Sequence, residues 1–203
     1  MIDAVLLDLG NVLVFHDNAL LFRRIGERAG LPGAEVARRF TDDLWRALNT
    51  GALDEAGIRD EMNRALGTRL DRAEFFDLFN SHFTVHDEVL PLVERLLGRV
   101  KLGLLSNTNA VHARWVRARL PLLQRFDAVL LSNEEGLAKP DPAFYRRGLE
   151  RLGTQPARTL FFDDVPEYVA AARALGIRAE VFTTAAAFAR SLAESELQAW
   201  GGR

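Results

Sequence analysis

The sequence predicts an α/β fold: a three-layer core on a parallel sheet, with an all-helical insertion placed directly after the first strand. Three observations carry that expectation. Apolar runs of strand length recur five times, beginning at Ala4, Lys101, Ala128, Thr159 and Ile177, and runs of this kind read as strands buried on both faces. Helix-periodic stretches lie between most of them, at Glu88 to Gly98, Ala110 to Leu120, Ala143 to Leu152 and Pro166 to Leu175, and that alternation implies βαβ units. Residues 17 to 84 differ, holding four helix-like runs and no strand-like one.

In chain order, the first run, Ala4-Val-Leu-Leu-Asp-Leu, breaks at Gly10-Asn11, as a buried strand does on meeting a loop. The first helix of the insertion, Asn18 to Ala29, stops at Gly30 before Leu31-Pro32. The second sets Val36, Phe40, Leu44 and Leu48 at spacing four and stops at Gly51. The third carries Ile58, Met62 and Leu66. The fourth opens with Asp71 and Glu74, an Asp version of the capping box, and then shows Phe75, Phe76, Phe79 and Phe83. A stripe of that kind is expected to pack inside the insertion rather than to line a ligand box. The alanine-rich tail from Ala185 reads as a final helix.

Composition narrows the function. At 203 residues the chain has room for one or two domains of typical size, about 150 residues, and its 48 % apolar content argues against extensive disorder. Lys and Arg number 26 against 28 Asp and Glu, so a net charge of −2 offers no general attraction to nucleic acid or anionic lipid. With no cysteine, disulfides, thiolate metal sites and cysteine nucleophiles are excluded. The apolar stretch Met1 to Val14 has no basic start and contains Asp3 and Asp8, which makes a poor signal peptide. No apolar run approaches the ~20 residues that span a bilayer. The expectation is a soluble cytoplasmic protein with neither a membrane nor a nucleic-acid partner.

Polar groups stand where the apolar runs end, which is where open α/β sheets bind ligands. Asp8 closes the first run, Ser106-Asn107 the second and Asp163-Asp164 the fourth, while Lys139 sits in the Pro-rich loop after the third. Each has an ordinary reading: a turn or cap for Asp8 and Ser106, an N-cap pair for Asp163-Asp164, a solvated surface cation for Lys139. Against it, a lone buried carboxylate costs several kcal/mol unless compensated, and two adjacent carboxylates repel unless they share a cation. Ser106, beside backbone amides at a helix start, is placed to donate to a phosphate. His16, His112 and the pair Arg38-Arg39 read as ordinary polar residues.

Taken together and in order, these stretches resemble the haloacid-dehalogenase-like (HAD) hydrolase superfamily. Asp8-Leu-Gly-Asn-Val-Leu is similar to its first motif, Leu105-Ser-Asn-Thr-Asn to its second, Lys139-Pro-Asp-Pro-Ala-Phe-Tyr to its third and Phe161-Phe-Asp-Asp to its fourth. The resemblance, which spans nearly the whole chain, implies a Rossmann-like core of residues 1–15 and 86–203 and a helical C1-type cap of residues 16–85. Within the superfamily the chain looks closest to bacterial phosphatases of sugar phosphates such as α-glucose 1-phosphate. The resemblance implies that Asp8 is the nucleophile, taking the phosphoryl group as an aspartyl phosphate. It implies Mg²⁺ held by Asp8, the carbonyl of Gly10, and Asp163 or Asp164, and phosphate bound by Ser106, Asn107 and Lys139. The substrate would be a small phosphorylated metabolite.

Two departures stand out. Relatives usually carry an acid/base Asp two residues after the nucleophile, where this chain has Gly10, so the proton must come from elsewhere, with His16 and Asp17 nearby in sequence. After the fourth motif they usually carry Asn or Asp, where this chain has Val165-Pro-Glu-Tyr, with Glu167 as a substitute. Two alternatives follow: a 2-haloacid dehalogenase, with Arg38 or Arg39 holding halide or carboxylate, and a catalytically weak binding or regulatory module.

Overall fold

A computed structural model describes residues 1–195 and Leu197; the other residues at the C-terminal end of the expected core segment lie outside the described residues. In chain order the elements are β1 (Ala4–Leu7), β2 (Val14–His16), α1 (Asn18–Ala29), α2 (Gly33–Arg39), α3 (Asp42–Asn49), α4 (Glu55–Leu66), α5 (Arg72–Phe79) and β3 (Phe83–Val85). There follow α6 (Leu90–Glu94), β4 (Lys101–Ser106), α7 (Ala110–Arg119), β5 (Ala128–Leu131), α8 (Ser132–Glu135) and α9 (Pro142–Leu152). The last are β6 (Thr159–Asp163), α10 (Pro166–Ala174), β7 (Arg178–Val181) and α11 (Ala185–Glu194).

Five strands form one sheet in the order β5-β4-β1-β6-β7, and every neighbouring pair is parallel. Successive strand side chains point to opposite faces, and this sorts the core into layers. Val5, Leu7, Leu104 and Phe162 pack on one face against Val116 of α7 and Phe188 of α11. Ala4, Leu6, Leu130 and Phe161 pack on the other against Phe144 of α9 and Val169 of α10. All five expected strands are present, and β1 lies at the centre, where the strand order reverses. That switch point is where such sheets leave a crevice at their carboxyl ends.

The insertion has five helices around a core of its own, with Leu21, Val36, Leu48, Ile58, Phe75 and Phe79 buried in it. The second expected helix is two: the chain breaks at Phe40, and the Thr41 hydroxyl caps the next helix by accepting from the Leu44 N–H at 3.3 Å. The spacing of four runs through that break, so periodicity alone is blind to it. The Asp71–Glu74 capping box forms in both directions. Phe83 is no part of the fourth helix, which ends at Phe79; it starts β3, which pairs antiparallel with β2 (His16 with Phe83, Val14 with Val85) at the root of the insertion. The helix expected over Glu88 to Gly98 shrinks to the five residues of α6.

Two contacts seat the insertion over the crevice. Gly51, after α3, has φ of +75°, and a Cβ there would lie 2.0 Å from the carbonyl oxygen of Asn133, so only glycine lets this loop rest on the α8 backbone. On the opposite side Arg114 of α7 donates to Glu55 of α4 at 3.0 Å and lies 3.8 Å over the ring of Phe76 in α5.

Candidate active site

Asp8 follows β1 directly, and its N–H donates to the Phe162 carbonyl at 2.9 Å, extending the β1–β6 ladder by one residue. Its carboxylate is thereby brought to the end of β6, where Asp163 and Asp164 stand. Oxygens of Asp8, Asp163 and Asp164 lie within 4.8 Å of one another, with the first two buried and the third half-buried. Lys139 reaches in from the loop before α9. Its ammonium is 2.7 Å from Asp8 Oδ1 and 2.5 Å from Asp163 Oδ2, and it is almost wholly withdrawn from water.

This ionic cluster shifts its own protonation equilibria. Burial pushes the Asp8 carboxyl up to about 7, with Lys139 pulling it back down and Asp163 adding to the rise. Burial pulls Lys139 down, but Asp8 and Asp163 outweigh it and hold the ammonium above the usual lysine range. Three carboxylates against one ammonium leave the cluster short of positive charge. The donor set, hard carboxylate oxygens beside an open cleft, fits Mg²⁺, which takes oxygen ligands and keeps several waters.

Asn107 does more than its backbone amide promises. Its side-chain amide donates to the Lys139 carbonyl and its Oδ1 accepts from the Lys139 N–H, both at 2.8 Å, so one residue after β4 clamps the peptide that carries the lysine. Ser106, buried at the end of β4, lines the cleft beside it. The next residue is fixed in the same manner: Ser132 Oγ accepts from the Thr108 N–H at 2.9 Å and donates to the Thr108 carbonyl at 3.1 Å.

The cleft over these groups has a volume of about 390 Å³, and Gly10, His16, Asn107, Lys139 and Asp164 all open onto it. Its helical side brings Asn18, Trp45, Asn49 and His82. Burial, together with the neighbouring His16, pushes His82 down to about 4, and burial holds His112 well below the usual histidine range. His16 is also lowered by burial, against the pull of Asp164 and Asp17.

Several expectations are corrected. Glu167 is exposed and does not line the cleft; Tyr168, one residue on, does, with its hydroxyl 3.3 Å from the Asn107 amide and its ring 5.1 Å from the Lys139 ammonium. Arg38 and Arg39 both pair with Glu35 on their own helix, and Arg39 also donates to the Ala65 carbonyl at 2.7 Å, so neither reaches the cleft. Asp17 is exposed and caps α1, accepting from the Leu20 N–H at 3.0 Å. Sequence reasoning missed Tyr168, Ser132 and the side-chain role of Asn107, and Asn107 alone had a signal, its place beside Ser106.

The chain is similar to known proteins over most of its length. A family model described as haloacid dehalogenase-like hydrolase matches residues 2–176. The chain is 32 % identical to a phosphatase of Mycobacterium tuberculosis over 88 % of its own length and 86 % of the relative's. It is 28 % identical to a phosphorylated carbohydrates phosphatase of Thermotoga maritima, over 86 % and 82 % of the two chains. Among solved structures it is similar to a HAD family enzyme of Bacteroides thetaiotaomicron in complex with magnesium and inorganic phosphate. That match has a TM-score of 0.83 and 26 % identity, and covers 90 % of this chain and 95 % of the other.

Proposed function

The chain belongs to the haloacid dehalogenase-like hydrolase family, and from that premise we propose that it is a magnesium-dependent phosphatase of a small phosphorylated metabolite, a sugar phosphate, working through an aspartyl phosphate on Asp8. The observation that carries the reading is the Asp8, Lys139, Asp163 and Asp164 cluster at the floor of the cleft. Mg²⁺ would be held by Asp8, the Gly10 carbonyl, Asp163 and Asp164, and when bound it supplies positive charge to the transferring phosphoryl group.

Asp8 attacks phosphorus with one carboxylate oxygen while the ester bond on the far side breaks. The hydroxyl of Ser106, the backbone amide of Asn107 and the Lys139 ammonium donate to the phosphoryl oxygens, and the Asn107 side chain keeps that ammonium in register. Water then releases phosphate from Asp8. Residues 16–85 act as the cap over a catalytic unit of residues 1–15 and 86–203.

The sugar phosphate reading rests on the helical side of the cleft. Trp45 offers a flat apolar face and Asn18 and Asn49 offer hydrogen bonds, a set suited to a neutral polyhydroxylated group. The dehalogenase alternative asks for a cap arginine, and Arg38 and Arg39 are turned elsewhere. The cytoplasm, where such metabolites are held, is the proposed compartment, and no helix among the described residues is long and apolar enough to cross a membrane.

Phosphate release from a panel of sugar phosphates, phosphorylated carboxylic acids and aryl phosphates, with and without magnesium, tests the assignment. Release that needs magnesium and favours neutral sugar phosphates supports it. Chloride release from 2-chloropropionate without metal, and no phosphate release, would replace it with dehalogenation.

A further inference from the structure

Breaking the phosphate ester of an ordinary alcohol produces an alkoxide, a strong base that leaves slowly unless a proton meets it, and a positioned acid is worth about 10²–10⁴ in rate. The groups around the cleft differ in what they can donate. Lys139 is locked between two carboxylates at 2.7 and 2.5 Å. The Tyr168 hydroxyl accepts from the Asn107 amide at 3.3 Å, and burial pushes it up, which makes it a poorer acid than a free phenol. His82 and His112 border the cleft, but His82 Nδ1 and His112 Nε2 are themselves buried out of contact with water. Asp17 is engaged as a helix cap outside the cleft.

His16 is placed differently. A Cβ built on Gly10 would lie 3.0 Å from His16 Nε2 and 3.7 Å from Asp8 Oδ2, so the imidazole edge and the nucleophile face the same small space from two sides. Gly10 is what leaves room for the ring. The residue is held there by β2 and by Asn11, which has φ of 53° and whose Oδ1 accepts from the His16 N–H at 3.3 Å. The Asn11 amide donates to Asp164 Oδ2 at 2.8 Å and makes only a long hydrogen bond, 3.4 Å, to Nε2, one that the oxygen of a bound ester or water would replace.

We infer that His16 is the acid and then the base of the reaction, a reading that rests on the phosphatase assignment above. As the Asp8 oxygen forms its bond to phosphorus, the electron pair of the breaking ester bond goes to the alcohol oxygen. That oxygen takes the proton from Nε2, and the ring becomes neutral. In the second step a water oxygen attacks phosphorus, its proton passes to Nε2, and the bond to Asp8 breaks with its electron pair returning to the carboxylate. Phosphate leaves and the ring is again an imidazolium.

The test measures kcat against leaving-group basicity, from nitrophenyl to alkyl phosphates, for the wild type, His16→Asn and the pair His16→Ala with Gly10→Asp. His16→Asn is expected to lose about 10²–10⁴ on alkyl phosphates and less than tenfold on nitrophenyl phosphate, where no proton is needed. The pair is expected to recover part of the alkyl loss, because the carboxylate enters the space the ring has left. Equal loss on every ester, or none, overturns the role of His16 and leaves the phosphatase assignment standing. A wild type whose rate already falls steeply with leaving-group basicity overturns it without any variant. If the wild type hydrolyses no phosphate ester under any condition, the phosphatase assignment and this role fall together.

Discussion

On the sheet side of the cleft, three carboxylates and an ammonium crowd together largely out of water, and the peptide that carries the ammonium is clamped by Asn107. On the helical side stand Asn18, Trp45, Asn49 and His82, none of them charged at neutral pH. The ionic side suits the one part every phosphate ester shares, and the neutral side suits the part that differs. On the proposed phosphatase reading, phosphoryl binding and selectivity would fall to different sides of the cleft, with His16 at the root of the insertion as the one residue of that segment in the chemistry, and mutation would separate them.

Removing the cation strikes the ionic side hardest. Chelation is expected to bring phosphate release to background, magnesium to restore it, and calcium, with its looser geometry and higher coordination, to restore little. Full activity in chelator would remove the metal from the reaction.

Next in size is the clamp. Asn107→Ala keeps the backbone amide but frees the Lys139 peptide, and small displacements of a positioned charge can cost about 10² in rate. The loss should appear in kcat more than in KM. Asn107→Asp, which keeps the acceptor for the Lys139 N–H, should retain more activity than the alanine.

Histidine protonation probes the neutral side. The folded pKa of His82 is depressed from 6.5 to about 4, so as pH falls through that window the unfolded chain takes up a proton that the folded chain refuses. Stability is therefore full above 6.5 and lost progressively toward 4, by on the order of 2 kcal/mol once partial solvent contact is allowed for. His112, lowered well below its usual range, adds to the same trend. Thermal melts of His82→Gln should show a flatter acid limb than the wild type; parallel profiles would place the acid sensitivity elsewhere.

The smallest effect belongs to selectivity. Trp45→Ala should raise KM for a sugar phosphate by about tenfold with kcat nearly kept. A fall in kcat with KM unchanged would mean the helical side takes part in the chemical step and would break the division between the two sides.

The carboxylates of the ionic side were readable in advance because they stand where apolar runs end: Asp8 after Leu7, Asp163 and Asp164 after Phe162. A carboxylate at that position is anomalous without any knowledge of its neighbours. Lys139 took the resemblance as well, since a lysine in a loop is unremarkable until its partners are known. What stayed hidden depends on pairs distant in sequence. The β2–β3 ladder joins residues on either side of the whole insertion, and three-residue strands carry no periodicity. Tyr168 reaches Asn107, and His16 covers Gly10, through loop geometry that no local pattern encodes.

Capture of the phosphoryl group on Asp8 is the most direct test. A few turnovers on nitrophenyl phosphate with magnesium, quenched in acid within milliseconds and digested, should yield the peptide containing Asp8 heavier by one phosphoryl group. Asp8→Asn should show no such peptide and lose roughly 10³-fold or more in rate. A phosphoryl group on any other residue, or an Asp8→Asn variant within tenfold of the wild type, would contradict the covalent role of Asp8.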